Sequence, residues 1–136
     1  MPKKIDWNEK LSTEILSLDE QHAALFQLFN EFIDVMETGS SQTVLVEQYT
    51  YIISETLKHF AYEEQIMKNI GFPEYSAHKE HHEILRQDAD LILKDLQDGK
   101  GGDEISPSVN FLRALIVKHM VEKDLKIRDY IKQGTL

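Results

Sequence analysis

The sequence predicts an all-α protein, an antiparallel up-down-up-down four-helix bundle with an N-terminal arm. Apolar residues recur at spacings of three and four, with no sustained alternation of period two. Three clusters, Gly39-Ser40-Ser41, Gly71-Phe72-Pro73 and Gly99 through Pro107, cut the chain into segments. Those segments are about 20 to 30 residues long and joined by short loops, as such a bundle requires.

Residues 1–16, which include Trp7, are expected to form the arm. The first helix covers about 18–38: Ser17 is placed to cap it, Glu20 completes a capping box, and Gly39 ends it. Its stripe is Leu18, His22, Leu25, Phe29, Phe32 or Ile33, and Met36. The second runs over about 42–70 with Gly71 as its C-terminal cap, and its stripe is Leu45, Tyr49, Ile52, Thr56, His59, Glu63, Met67, Ile70. The third, about 74–98, starts near Pro73, a good first-turn residue, and carries His78, His82, Leu85, Ala89, Ile92 and Leu96. The fourth, about 107–132, opens with Ser106 as cap and Pro107 at its first position. Leu112, Leu115, Ile116 and His119 lie on one of its lines, and Met120, Asp124, Ile127 and Ile131 on the next. Residues 1–136 are read as one domain, being too few for two cores.

Composition narrows the function. Fifteen Lys and Arg against 24 Asp and Glu leave a formal charge of −9, which would repel phosphate backbones, so nucleic acid is not expected as a partner. No apolar run approaches the roughly 18 residues of a membrane span, and no membrane insertion is expected. The opening MPKKIDWNEK lacks the apolar stretch of a secretory signal. The absence of cysteine removes disulfides, thiolate metal sites and cysteine nucleophiles, and fits a cytoplasmic location.

Polar residues interrupt every apolar stripe. His59 and Glu63 stand four apart at two core positions, and His78 and His82 do the same on the third helix, so each pair shares a helix face. Taken singly, His59 with Glu63 and His119 with Asp124 admit a plain structural hydrogen bond. Buried carboxylates, however, cost several kcal/mol unless a cation or a shifted pKa compensates them. Folding the bundle on paper brings the seven residues to one layer. His22 lies about 16 residues from its helix end and His59 about 17 from the next helix start, nearly the same height at ~1.5 Å per residue. Independent core histidines have no reason to share a level, whereas a metal site does. Five imidazoles and two carboxylates exceed the needs of one zinc, and calcium or magnesium would want oxygen donors. Imidazole with carboxylate suits iron, and bridging carboxylates would hold two ions. Ferritin-like sites use Glu-x-x-His pairs, which this sequence lacks, so a histidine-rich di-iron centre is the better fit.

The stretches WNEKLSTEILSLDEQH, LDEQHAALF around His22, HFAYEEQIM around His59 and Glu63, GFPEYSAHKEHH around His78 and His82, and HMVEKD around His119 and Asp124 resemble the hemerythrin family, specifically its single-domain bacterial members. The similarity covers nearly the whole chain. It implies that His78, His82 and His119 bind one iron and His22 and His59 the other, with Glu63, Asp124 and an oxide or hydroxide bridging the pair. The second iron is left one ligand short, and dioxygen would bind there. The implied function is reversible dioxygen binding at a non-haem di-iron centre for oxygen storage, transport or delivery, without catalysis. An oxygen-consuming enzyme would be the recipient, and a monomer is expected. The alternatives are an oxygen sensor or a di-iron enzyme acting on peroxide or nitric oxide. Two departures stand out: His81 lies where the family more often has an acidic residue, and Leu115 where tryptophan is frequent. Neither is a ligand position; His81 is read as a surface residue or one that braces a ligand. The five-residue step from His119 to Asp124 is not what helix geometry alone suggests, and it rests on the resemblance. Leu25, Phe26, Phe60 and Ile116 fall near the ligand level as pocket walls. Asp19, one turn before His22, either orients that imidazole or favours the helix N-terminus by its charge.

Overall fold

The computed structural model describes residues 4–134. After a 3-10 turn at Glu9–Leu11 come α1 (Leu16–Glu37), α2 (Gln42–Asn69), α3 (Tyr75–Gln97) and α4 (Gly102–His119). α4 continues without a break through a π turn, Met120–Asp124, into α5 (Leu125–Gly134), and the three together form the fourth rod of a four-helix bundle. No strand occurs among the described residues. Each rod packs on the next in sequence, and the fourth closes on the first. The short connections make neighbours antiparallel.

The helix ends follow one rule. α1, α2 and α3 each stop at a glycine of positive φ, Gly39, Gly71 and Gly99. In each case the glycine N–H and the next N–H bond back to the two carbonyls of a Schellman motif; Phe72 N–H to Met67 O at 2.9 Å is the shortest of these bonds. Phe72 and Met67 are also buried together, which is the apolar contact that accompanies the motif.

The starts follow no single rule, and three differ from expectation. α1 begins at Leu16 behind Ile15, with no side-chain cap. Ser17 lies inside the first turn and accepts a 2.8 Å bond from Tyr62 OH, so the Ser17–Glu20 capping box does not form. Asp19 reaches back instead: its carboxylate accepts from Thr13 N and Thr13 Oγ1 at 2.8 Å and from Ser12 Oγ at 2.6 Å. Pro73 sits in the turn before α3 rather than in its first turn, because helical geometry is reached only at Tyr75. α4 begins five residues before Pro107, so Ser106 is not its cap. Buried Ile105, in line with Val109 and Leu112, extends the apolar stripe past the proline. Ser106 Oγ bonds Gly102 O at 2.8 Å within the turn. Only α2 has its serine where a cap belongs: Ser41 Oγ accepts from Val44 N.

Two apolar clusters flank a polar layer. The larger is built on Phe26, Phe29, Phe32 and Ile33 of α1 with Tyr49, Leu96, Val109 and Leu112. The smaller joins Met67, Phe72 and Ile127. Burying a side chain such as Phe32 or Ile33 contributes roughly 1.5–3 kcal/mol, and this apolar frame fixes the height at which the polar layer sits. On α1 the stripe turns slightly from its expected line: Phe26 is buried and Leu25 half-buried. The described part of the arm packs along the bundle through buried Ile5 and Leu11 and half-buried Trp7. Ile5 is clamped at both backbone groups, its N–H by Asn30 Oδ1 at 2.7 Å and its carbonyl by Asn30 Nδ2 at 2.8 Å. Residues 1–3 of the expected arm lie outside the described residues.

Candidate metal centre

His22 comes from α1, His59 and Glu63 from α2, His78 and His82 from α3, His119 from the end of α4 and Asp124 from the end of the π turn. The structure brings all seven together in the polar layer, every one of them buried. The π turn explains the five-residue step. On an α-helix, residues five apart point about 140° away from each other. The widened i→i+5 turn absorbs one extra residue and returns Asp124 to the His119 face, with His119 Nε2 3.0 Å from Asp124 Oδ1.

The carboxylate oxygens divide the histidines into two sets. Glu63 Oε1 lies 2.6 Å from His78 Nε2 and 3.1 Å from His82 Nε2. Asp124 Oδ1 lies 3.0 Å from both His78 Nε2 and His119 Nε2. The opposite oxygens face the other pair: Glu63 Oε2 is 3.4 Å from His59 Nε2 and 3.6 Å from His22 Nε2, and Asp124 Oδ2 is 3.4 Å from His22 Nε2. Two ligand atoms on one ion at ~2.1 Å and right angles sit ~3 Å apart, and these spacings centre on that value. One side therefore offers three nitrogens and two oxygens, and the other two nitrogens and two oxygens.

The same atoms lack ordinary partners. His78 Nε2, His82 Nε2, His119 Nε2, both Glu63 oxygens and Asp124 Oδ1 are buried with no hydrogen-bond partner among the described residues. Leaving one such group unsatisfied costs about 1–3 kcal/mol, more if charged, so a cluster of them calls for cations. The donor set fits: imidazole and carboxylate together suit iron or another first-row ion rather than calcium or magnesium.

Electrostatics within the cluster point the same way. Burial favours the neutral acid of Glu63, yet His22, His59, His78 and His82 hold its carboxyl well below the usual range. Burial opposes charge on His78, but Asp124 and Glu63 push it up to about 9. His22 is raised by the same carboxylates against its burial. His119 is pushed down, by burial first and then by the other histidines, although Asp124 acts the other way.

Three of these rings are gripped from behind. Gln21 Oε1 lies 2.7 Å from His59 Nδ1, Glu64 Oε2 2.9 Å from His82 Nδ1, and His81 Nδ1 2.6 Å from His119 Nδ1. In each case a residue adjacent in sequence to a donor on one helix holds the histidine of the next helix, α1 to α2, α2 to α3, α3 to α4. Neither Gln21 nor Glu64 is marked by the stripe pattern; their only signal is sequence adjacency to His22 and Glu63. Asp19 does not orient His22, whose Nδ1 is buried without a partner among the described residues, because both Asp19 oxygens are committed to Ser12 and Thr13. Its role is to tie the arm to the helix start. Leu25, Phe26, Phe60 and Ile116 all line one cavity of about 70 Å³ that also touches His22, His59, His119 and Asp124.

The model of the Hemerythrin HHE cation binding domain matches residues 13–131. The chain belongs to the hemerythrin family. A bacteriohemerythrin of Pseudomonas aeruginosa is 30% identical over 129 residues, covering 94% of this chain and 82% of that protein. A hemerythrin-like protein of Naegleria gruberi is 28% identical over 128 residues, 94% of each chain. Among solved structures, a wild-type hemerythrin superposes with a TM-score of 0.81 at 25% identity, covering 90% of this chain and 94% of that one. The all-helical bundle and the buried His, Glu and Asp cluster are thus those of a hemerythrin domain able to bind metal. No helix among the described residues is long and apolar enough to cross a membrane.

Proposed function

We propose that this hemerythrin domain binds dioxygen reversibly at two iron ions, for storage, transport or delivery, without turning it over. The observation that carries the reading is the division of the Glu63 and Asp124 oxygens between a three-histidine and a two-histidine side. Iron held by these residues would supply the reversible electron transfer that dioxygen binding needs.

The chain's own residues would do the rest. Glu63 and Asp124 would bridge, fixing the separation of the two ions and offsetting part of their charge. His78, His82 and His119 would fill one side, while His22 and His59 leave the other with one donor fewer, on the side where the cavity opens. That cavity is almost wholly apolar. Its one neutral hydroxyl group, Thr56 Oγ1, is already bonded to Ile52 O at 2.7 Å, so beyond the ligands nothing in the wall invites water. Phe60 lies flat on the His82 ring, centroids 3.9 Å apart, and forms wall and ligand support together. A second apolar cavity of about 60 Å³ shares Phe60 and Ile116 with the first and thickens the dry zone on the side of Tyr49 and Ala89. Keeping water and protons away is what reversible release requires, because both help reduced oxygen leave and strand the ions in the oxidised state.

The test is an optical spectrum of anaerobic, ferrous-loaded protein before oxygen, after oxygen, and after purging. Colour that appears with oxygen and bleaches on purging is the expected result. Colour that persists, or peroxide consumed with a reductant well above background, would replace the carrier by a sensor or an enzyme. Fewer than two irons per chain would undo the centre.

A further inference from the structure

The brace on His119 is unlike the other two. His59 is held by an amide and His82 by a carboxylate, whereas His119 is held by a third imidazole, that of His81. The two rings are parallel within 2°, with centroids 4.8 Å apart and Nδ1 atoms 2.6 Å apart. A contact that short cannot belong to face-stacked rings, whose atoms stay ~3.5 Å apart or more. The rings therefore lie edge to edge in nearly one plane, and the Nδ1–Nδ1 line points along both lone-pair directions. That is the geometry of a good hydrogen bond.

One proton fits between the two nitrogens. His119 Nε2 points into the donor cluster, 3.0 Å from Asp124 Oδ1, and has no hydrogen-bond partner among the described residues. To offer that nitrogen to a metal, His119 must carry its proton on Nδ1 and donate it outward. His81 Nδ1 is then the acceptor, and the His81 proton is confined to Nε2. The brace is an uncharged ring.

We propose that His81 is a positioning residue for the metal centre: it fixes the tautomer and plane of His119, and it does so without the negative charge that Glu64 places behind His82. The inference rests on the metal-binding reading above. A carboxylate acceptor makes an imidazole ligand more basic and enriches the metal in electrons. An imidazole acceptor orients equally well but enriches it less. The three-histidine side is thus braced by one charged and one neutral acceptor, a mixture that holds the ligands while favouring the reduced state of the ion over a doubly charged brace.

Three variants separate orientation from charge: His81→Ala, His81→Gln and His81→Asp. The readouts are iron retention against a competing chelator, the reduction potential of the loaded protein, and thermal unfolding of the metal-free protein. Loss of a ligand brace typically costs 10–100-fold in metal affinity, and that loss is expected for His81→Ala. His81→Gln, a neutral acceptor, restores most of the affinity with a potential close to wild type. His81→Asp restores affinity but lowers the potential, because only it adds charge. A purely structural residue would move metal-free stability and leave the potential of all three variants alike. Wild-type affinity and potential in His81→Ala would overturn the inference, and so would equal potentials in His81→Gln and His81→Asp. A wild-type protein that takes up no iron fails the metal reading itself and this inference with it, whereas a normal wild type beside an indifferent His81→Ala sinks this one alone.

Discussion

The two sides of the candidate centre are built differently. On the three-histidine side, nitrogens and carboxylate oxygens lie 2.6–3.1 Å apart; on the two-histidine side they lie 3.4–3.6 Å apart. The first is braced by Glu64 and His81 and covered by Phe60. The second has one brace, Gln21, and apolar Leu25 and Phe26 stand beside it; each side leaves one ring, His78 and His22, whose Nδ1 has no partner among the described residues. The braces run from each helix to the next, and the missing step is the one that would close the ring from the fourth rod back to α1. The first side is tight and polar-backed, whereas on the second, where His22 Nε2 and His59 Nε2 lie 2.9 Å apart, apolar walls border the two rings. The asymmetry is thus structural before any metal enters.

The largest effect should come from removing what both sides share. Glu63→Ala and Asp124→Ala each delete an oxygen from both sets, so metal content should fall by more than half and the stabilisation by metal should vanish with it. Metal analysis and unfolding with and without chelator test this. Two ions retained in both variants would mean that the carboxylates do not bridge. Single-side changes should be milder, with His59→Ala sparing one ion and His119→Ala weakening the three-histidine side.

Next comes pH, with opposite signs for metal-free and loaded protein. The metal-free fold holds a proton on His78, whose pKa is raised from 6.5 to about 9. A raised folded-state value stabilises fully below the unfolded value and is lost as pH climbs through the folded one, so metal-free stability should decline between pH 6.5 and about 9. An ion must displace that same proton, so loading should strengthen over the window by up to about tenfold per pH unit. Chelator-competed titrations across the window, beside metal-free melts, check both signs. A loading affinity flat with pH would show that His78 enters the site already deprotonated.

How far this centre could be read from the chain depends on whether a feature is local. The seven donors were legible because each replaces an apolar residue on a helical stripe. The glycine-terminated ends were legible because positive φ at Gly39, Gly71 and Gly99 is a one-residue property. The starts of α1, α3 and α4 were less so, because several side chains compete to cap: Ser17 turned to Tyr62, and burial of Ile105 drew α4 past Pro107. The π turn was illegible since Met-Val-Glu-Lys-Asp has no composition that marks an extra residue; only the demand that Asp124 face His119 selects it. Gln21 and Glu64 were missed because each acts across a helix boundary, where rotation about the helix axis decides the contact. His81 drew notice only through its place beside His82.

The cavity borders both rings of the two-histidine side but only His119 of the other, so its wall sharpens the comparison next. Ile116→Ser should leave iron content unchanged while quickening autoxidation several-fold, since a hydroxyl would recruit water to a wall that has no free polar group; Phe60→Ser should quicken it too, but with some loss of iron because Phe60 also supports the His82 ring. The bleaching rate of oxygenated protein measures it. Unchanged autoxidation in both would show that the wall does not protect the site.

The smallest effect separates the two anchors of the arm. Ile5 belongs to the cavity wall and is held there by Asn30, while Asp19 holds Ser12 and Thr13. Asn30→Ala and Asp19→Ala each remove two or three hydrogen bonds and should cost about 1–3 kcal/mol of stability. Only Asn30→Ala loosens Ile5 from the pocket, so it alone should quicken autoxidation, and by less than a polar wall residue does. Equal autoxidation in the two variants would mean that the arm acts on the bundle as a whole, and that the open side is shielded by its helices without help from Ile5.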